Sequence, residues 1–252
     1  MSRIAPSLAA LTSAELESRP ERVAVVPVGA TEQHGPHLPL ETDTLLATAV
    51  AEAIVARTPK TILAPSLALG CSAHHSAFPG TLSLRTQTLV GMVVDVCRSL
   101  ARAGLTAVLL NAHGGNRAQL DVALTELSGE GIRAYAFTYW QLLEDVVNEE
   151  LGESAATACG HACALETALM QHLHPDLVRE QAIPGAETPP TWPDPHMFSK
   201  DAVRVVRPFD EIRSDGVIGR PSLATPELGR RLFEAAVDRG ALIVERVMQA
   251  SA

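Results

Sequence analysis

A chain of 252 residues with 46% hydrophobic and only 4% aromatic content can bury one large α/β core. Its formal charge of −9 argues against nucleic acid and anionic membrane surfaces as main partners, since both call for basic patches. No run approaches the roughly 18 apolar residues of a transmembrane helix. Residues 1–22 show no secretory apolar region, and four cysteines do not make a disulfide framework in a chain of this size, so a reducing cytoplasm is expected.

In chain order, Ser13–Glu17 reads as a short amphipathic helix and Val23–Gly29 as a buried strand. Thr42 is placed to cap a helix over Asp43–Arg57. A second strand is expected over Thr61–Leu67, then a loop from Leu69 to Gly80 holding His74 and His75. Thr86–Ala103 reads as a helix ended by Gly104, Leu105–Leu110 as a third strand, and Asn116–Leu127 as the next helix. Ile132–Thr138 is the fourth strand, followed by helices near Trp140–Leu151 and Ala162–His172. Residues 181–200, rich in proline, form an irregular loop or flap, Val203–Val206 an edge strand, and Pro226–Gln249 the last helix. Strands alternating with helices predict a mostly parallel sheet covered on both faces, here a single domain over residues 1–252.

Three polar clusters follow predicted strands or open a helix. Glu32-Gln33-His34-Gly35-Pro36-His37, closed by Thr42-Asp43, sets two imidazoles between the carboxylates of Glu32 and Asp43 within a dozen residues. Glu32 and His34 sit two apart, which points both side chains the same way in extended backbone. Asp43 falls in the first turn of a helix, where the dipole favours its charge. Asn111-Ala112-His113-Gly114-Gly115-Asn116 follows the third strand, and His161 precedes Glu166 by five residues. A lone histidine at a strand end reads as a hydrogen-bonded core residue. Here, however, four of nine histidines (34, 37, 113 and 161) lie in these segments, and two more (74 and 75) in the loop after the second strand. Parallel sheets gather sites beyond the carboxyl ends of their strands, so one shared metal site is expected. Its ligands are drawn from Glu32, His34, Asp43, His113 and Glu166, with zinc, manganese or iron as the ion. Of His74 and His75, His75 is favoured to reach the pocket, and His37 reads as a substrate residue rather than a ligand. Cys159 and Cys163 flank His161 but read as packing residues, since no second cysteine pair has zinc-site spacing.

Pro27-Val-Gly-Ala-Thr-Glu32-Gln-His34-Gly-Pro-His-Leu-Pro-Leu with Thr42-Asp43 resembles the signature of the creatininase (creatinine amidohydrolase) family. Phe78-Pro-Gly-Thr-Leu-Ser83, Asn111-x-His113-Gly-Gly-Asn116 and His161-Ala162 with Glu166-Thr167 match further family segments in the same order. The resemblance implies a three-layer α/β/α sandwich, a homo-oligomer such as a hexamer, and hydrolysis of small amides, cyclic amides or formamides, with two divalent metal ions per chain. By motif position it makes Glu32, His34, Asp43 and His113 metal ligands, with Asp43 bridging, and His161 and Glu166 catalytic. Expected substrate-binding residues are His37, His75, Asn116 and Trp192. Creatininase itself carries Tyr-Glu where this chain has Gly114-Gly115, and that Glu is a ligand. Either Glu166 supplies the missing carboxylate or the second metal is weakly held. The Gly-Gly form resembles the formamide deformylase and mycofactocin peptidase branches, so a metal-dependent peptidase is the alternative, and a non-catalytic metal-binding homologue a further one.

Overall fold

Every residue of β1 (Val23–Val28) is buried because the strand has a core on each side. In the computed structural model, which describes residues 5–189, 191–203 and 205–250, the side chains alternate between these cores. Val23 and Val25 meet Val108 and Leu110 on one face, while Ala24, Val26 and Val28 meet Ala107 and Leu109 on the other. A strand covered on both faces carries an unbroken apolar run, which is what the sequence shows.

The elements follow in order: α1 (Ser13–Glu17), β1, α2 (Thr42–Arg57), β2 (Thr61–Leu63), α3 (Thr86–Arg102), β3 (Thr106–Asn111), α4 (Arg117–Gly129), β4 (Ala134–Thr138), α5 (Glu144–Leu151), α6 (Ala155–Ala158), α7 (Ala164–Leu173) and α8 (Pro226–Ala250). The strands pair in parallel in the order β2-β1-β3-β4. Helices α3 and α4 cover one face through Leu89, Val93, Leu120 and Leu127. Helices α2, α7 and α8 cover the other through Val50, Ile54, Leu165, Leu169, Leu232 and Val244. This is the expected three-layer α/β/α sandwich. The chain leaves β1 toward β2 on one side, and β3 adds on the other, so the strand order reverses between β1 and β3. In open parallel sheets ligands bind outside the carboxyl ends of the strands at that point. Among the described residues no helix is long and apolar enough to cross a membrane.

Four local expectations need correction. The second strand stops at Leu63 rather than Leu67. Pro65 has no N–H to give a ladder, and only Leu67 returns, as an isolated bridge to Val28. Thr42 does not cap α2: it lies inside the helix, and its hydroxyl donates to the Pro39 carbonyl at 2.7 Å. The helix expected near Trp140–Leu151 is a 3-10 turn over Tyr139–Leu142 followed by α5, because Tyr139 and Trp140 are drawn into the core. Val203, Val205 and Val206 belong to no strand, Arg204 between them lying outside the described residues, and all three valines line the cavity described below.

Candidate metal centre

The carboxyl ends of β1 and β3 deliver the chemistry. After β1 the chain makes a closed loop, with the Glu32 N–H donating to the Leu40 carbonyl at 2.9 Å, and then enters α2. That turn brings Asp43, in the first turn of α2, to 3.2 Å from His34. After β3, Asn111 clamps the next loop: its amide donates to the His113 carbonyl at 2.8 Å and its oxygen accepts the His113 N–H at 3.2 Å. Asn116 ties the loops together. It accepts the Cys71 N–H and donates to the Gly29 carbonyl, both at 3.0 Å, and is fully buried. Its expected substrate contact is therefore corrected to a scaffold role. His161 is held by paired main-chain bonds to Ile218, both 2.8 Å. Glu166, in the first turn of α7, accepts the Cys163 N–H at 3.3 Å through one oxygen. Glu32, His34, Asp43, His113, His161 and Glu166 are all buried together.

Hydrogen bonds fix which nitrogen of each ring faces inward. A carbonyl can only accept, so the nitrogen beside it carries the proton. His34 Nδ1 lies 3.2 Å from the Glu32 carbonyl, His113 Nε2 lies 3.1 Å from the Cys71 carbonyl, and His161 Nε2 lies 2.7 Å from the Gln33 carbonyl. In the neutral rings the other nitrogens bear lone pairs. His34 Nε2 then faces Asp43 Oδ1 at 3.2 Å, and His113 Nδ1 faces Glu32 Oε1 at 3.2 Å and Asp43 Oδ2 at 3.3 Å. His161 Nδ1 stands 3.7 Å from Glu32 Oε1. Lone pairs pointed at carboxylates repel unless a cation lies between them. Glu32 Oε2, His34 Nε2 and Asp43 Oδ2 are buried with no hydrogen-bond partner, and metal-binding histidines usually donate their second N–H to a carbonyl or carboxylate. The residues present fit a divalent cation.

Asp43 offers one oxygen to each of two donor groups. His113 Nδ1 lies 3.3 Å from Oδ2 and 3.2 Å from Glu32 Oε1, while His34 Nε2 lies 3.2 Å from Oδ1, and ligand atoms of His34, Asp43 and Glu166 all fall within 4.8 Å of one another. Gly115 brings no ligand, and the space explains why. A Cβ there would lie 2.2 Å from the Cys71 carbonyl oxygen and 2.4 Å from His113 Nε2.

Protons offset the charge in the protein alone. Burial lowers the His34 pKa, but Asp43, with help from Glu166 and Glu32, lifts it to about 9. His113 is driven well above the usual imidazole range by Glu32 and Asp43, against the same burial cost. Burial raises Glu32, but His113 and His75 outweigh it and hold the carboxyl well below its usual range. Burial, with Cys163 and Asp43 nearby, pushes Glu166 well above its own. Burial, with His34 and His75, pushes His161 well below, so its ring is neutral and keeps a lone pair at Nδ1.

The structure separates the remaining candidates. His75 lines the cavity, but its ring is committed: the Gln33 amide reaches Nδ1 at 2.8 Å, leaving Nε2–H directed at Glu32 Oε1 at 3.2 Å. The amide orientation is fixed by the Gly35 N–H, which donates to Gln33 Oε1 at 2.8 Å, and by donation to the Gly216 carbonyl. His74, not His75, lies within ligand range of Glu32 and His113. His37 is corrected outright. It is fully buried, bonded to the Thr167 hydroxyl at 2.8 Å, and away from the cavity wall. Trp192 is 72% exposed and also stands outside the wall, although its neighbours Pro193 and Asp194 contribute to it. The sequence reading passed over Gln33, which sits inside the first motif, and Phe209, whose ring lies 4.2 Å from that of His75 and 5.2 Å from that of His161. Only the motif position pointed to the first, and nothing pointed to the second. The cavity above this floor measures about 1120 Å³.

Similarity to known proteins extends over nearly the whole chain. The sequence profile of the Creatininase family, described as creatinine amidohydrolase, matches residues 9–244. A mycofactocin precursor peptide peptidase of Mycobacterium tuberculosis (strain H37Rv) is 35% identical over 243 residues, 92% of this chain and 87% of that one. A creatinine amidohydrolase of Pseudomonas putida is 33% identical over 246 residues, 90% of this chain and 91% of the other. A manganese form of creatininase superposes with a TM-score of 0.79 at 31% identity, covering 96% of this chain and 98% of that one. With its motifs, fold and metal-binding cluster in agreement, the chain belongs to the creatininase family of hydrolases.

Proposed function

We propose that the protein hydrolyses an amide C–N bond with two divalent ions, one held by Glu32, His113 and Asp43 and the other by His34, Asp43 and Glu166. The observation that carries this reading is the convergence of lone-pair nitrogens on two buried carboxylates, Glu32 and Asp43, each of which keeps an oxygen with no hydrogen-bond partner. When bound, such ions lower the pKa of water and polarise a carbonyl oxygen. The chain's own residues do the rest. His161, anchored through Nε2–H to the Gln33 carbonyl, accepts a proton at Nδ1 and returns it to the departing amide nitrogen. His75 Nε2–H steadies Glu32, and the Phe209 ring covers both imidazoles from the solvent side.

The substrate is proposed to be a small molecule, a cyclic amide or formamide in the first reading. A short peptide is the second reading, and the cavity favours it: about 1120 Å³ exceeds the usual 300–1,000 Å³ of small-ligand sites, and a relative named as a peptide peptidase is 35% identical. Assembly as a homo-oligomer in a reducing cytoplasm completes the proposal, and four free, buried cysteines agree with such a compartment.

Elemental analysis on protein purified without chelator tests the ion assignment. Two ions per chain in the wild type, falling to about one in Glu166→Ala, are expected from ligand loss. A wild type that binds no metal after reconstitution overturns the mechanism. Release of amine from matched panels of peptides, formamides and cyclic amides then separates the two substrate readings. Bound metal with no turnover across every panel leaves a non-catalytic binding protein.

A further inference from the structure

The cavity carries charge that the floor does not use. Beyond the histidine and carboxylate cluster, its charged lining residues are Arg85, Arg117, Asp194, Asp201 and Arg207. Three of these are already engaged. Asp194 lies 2.6 Å from His196 Nδ1, Asp201 accepts the Asp194 N–H at 2.7 Å, and Arg207 donates to the Thr191 hydroxyl and the Pro193 carbonyl at 2.8 and 2.9 Å. Arg85 and Arg117 have no side-chain hydrogen bond or ion pair among the described residues. In a chain of net charge −9, two cations left unpaired on one cavity need a reason.

Their placement is specific. Arg85 immediately precedes α3 and Arg117 is the first residue of α4. The Gln119 amide of α4 lies 3.3 Å from the Thr86 hydroxyl of α3, so the two helix starts are held side by side at the same opening. Neither start has a side-chain cap, and the positive ends of both helix dipoles reinforce the two guanidiniums. Arg117 is half-buried, which weakens its hydration and strengthens any ion pair it forms. A guanidinium offers a planar fork that matches a carboxylate or phosphate.

We propose that Arg85 and Arg117 form an anion subsite that grips an oxyanion, carboxylate or phosphoryl, carried by the amide substrate at a distance from the bond cleaved. The inference rests on the reading of the floor as an amide hydrolase and extends it to substrate class: the substrate is acidic. A neutral compound of creatinine's kind would leave both guanidiniums unpaired.

Two measurements test it, one with turnover and one without. In the first, manganese-loaded full-length protein is given peptides and N-formyl amino acids, each as free carboxylate and as carboxamide. The carboxylate member is expected to show a kcat/KM at least about tenfold higher, and Arg117→Ala and Arg85→Ala each to move that ratio toward one, with partial recovery in Arg117→Lys. Equal turnover of both members in the wild type, or an unchanged ratio in both alanine variants, overturns the subsite while leaving the hydrolase reading intact. If no member of any pair is cleaved, the hydrolase reading fails, and the second measurement decides the subsite alone. Calorimetric titration of the manganese-loaded protein with succinate and with inorganic phosphate is expected to show at least about tenfold weaker binding of one anion in Arg85→Ala/Arg117→Ala. The anion that loses more identifies the oxyanion. Unchanged binding of both overturns the proposal. Since neither side chain has a partner to lose, both variants are expected to fold.

Discussion

Glu32, His34, Asp43 and His113 occupy loops and a helix start that follow β1 and β3, and the hydrogen bonds of three carbonyls set how the histidine rings face. Val203, Val205, Val206 and Phe209 close the other side of the same cavity from a segment with no strand and only a single 3-10 turn. Val205 and Val206 are 54% and 83% exposed, whereas Glu32 and His34 are fully buried. The two sides differ in what holds them. Floor positions are over-determined by sheet register, loop clamps and buried polar contacts, so their geometry survives small changes elsewhere. On the wall, Val205 and Val206 stand largely in solvent, while Phe209 packs its ring against His75 and His161. The proposed chemistry thus rests on the floor, and substrate choice is expected to draw on the wall together with Arg85 and Arg117, as scaffold-borne sites generally divide the work.

The sharpest way to break this division is Asp43→Ala. Asp43 faces His34 with one oxygen and His113 with the other, so its loss removes a donor from both groups at once. Turnover is expected to fall by on the order of 10³ or more, with bound metal lost in parallel, while circular dichroism stays that of the wild type. Full activity with normal metal content would remove Asp43 from the centre.

Next in size is the pH response of the metal-free protein. An imidazole with an unfolded pKa near 6.5 that is raised to about 9 in the fold, as His34 is, binds its proton more tightly when folded. Its contribution is complete below the unfolded value and is lost as pH rises through the folded one. His113 has the same sign, and so does Glu166, whose raised pKa penalises the charged carboxylate at neutral pH. Metal-free protein should therefore lose stability between about pH 6.5 and 9, by a few kcal/mol. Metal binding displaces those protons, so the stabilisation by added manganese should grow over the same range. Urea midpoints across that window, with and without metal, measure both slopes. A flat metal-free profile would show that His34 and Asp43 are not coupled as described.

Gln33→Leu probes how far the floor depends on its supports. The change removes the amide that holds the His75 tautomer, and with it the N–H directed at Glu32, but leaves every proposed ligand in place. Metal affinity, read by chelator competition, is expected to drop about 10- to 100-fold. No change in affinity would make Gln33 a loop-packing residue only.

The contrast between floor and wall also governed what the sequence disclosed. β1 was legible because burial on both faces leaves an unbroken apolar run, and Glu32, His34 and Asp43 follow it within one loop and one helix turn. Glu166 was legible as a carboxylate near the cluster, and the structure buries it beside His34 and Asp43. The choice between His74 and His75 was not, because a 3-10 turn over Ala73–His75 decides which ring faces which neighbour. His37 misled by proximity: three residues from His34, it turns the other way to reach Thr167, 130 positions along the chain. Arg85, Arg117 and Phe209 share no sequence neighbourhood at all and meet only through tertiary packing.

The smallest expected effect separates two aromatic residues of the wall region. Phe209 packs its ring against His74, His75 and His161, with centroids 5.0, 4.2 and 5.2 Å away. Trp192, the larger and more conspicuous aromatic in the sequence, is 72% exposed and touches none of the cavity. Removing the Phe209 ring lets water reach His161 and widens the space above the scissile bond. Phe209→Ala should therefore raise KM and shift the ranking of substrates by roughly three- to tenfold, with metal content unchanged, since one ring contact in such a pocket carries about 1 kcal/mol. Trp192→Ala should alter kcat/KM by less than about twofold, as expected of an exposed side chain without a substrate contact. Kinetics on the same substrate panel distinguish the outcomes. If Trp192→Ala proves the more damaging of the two, the loop folds over the substrate during turnover, and the wall is defined by the bound state rather than by the packing seen here.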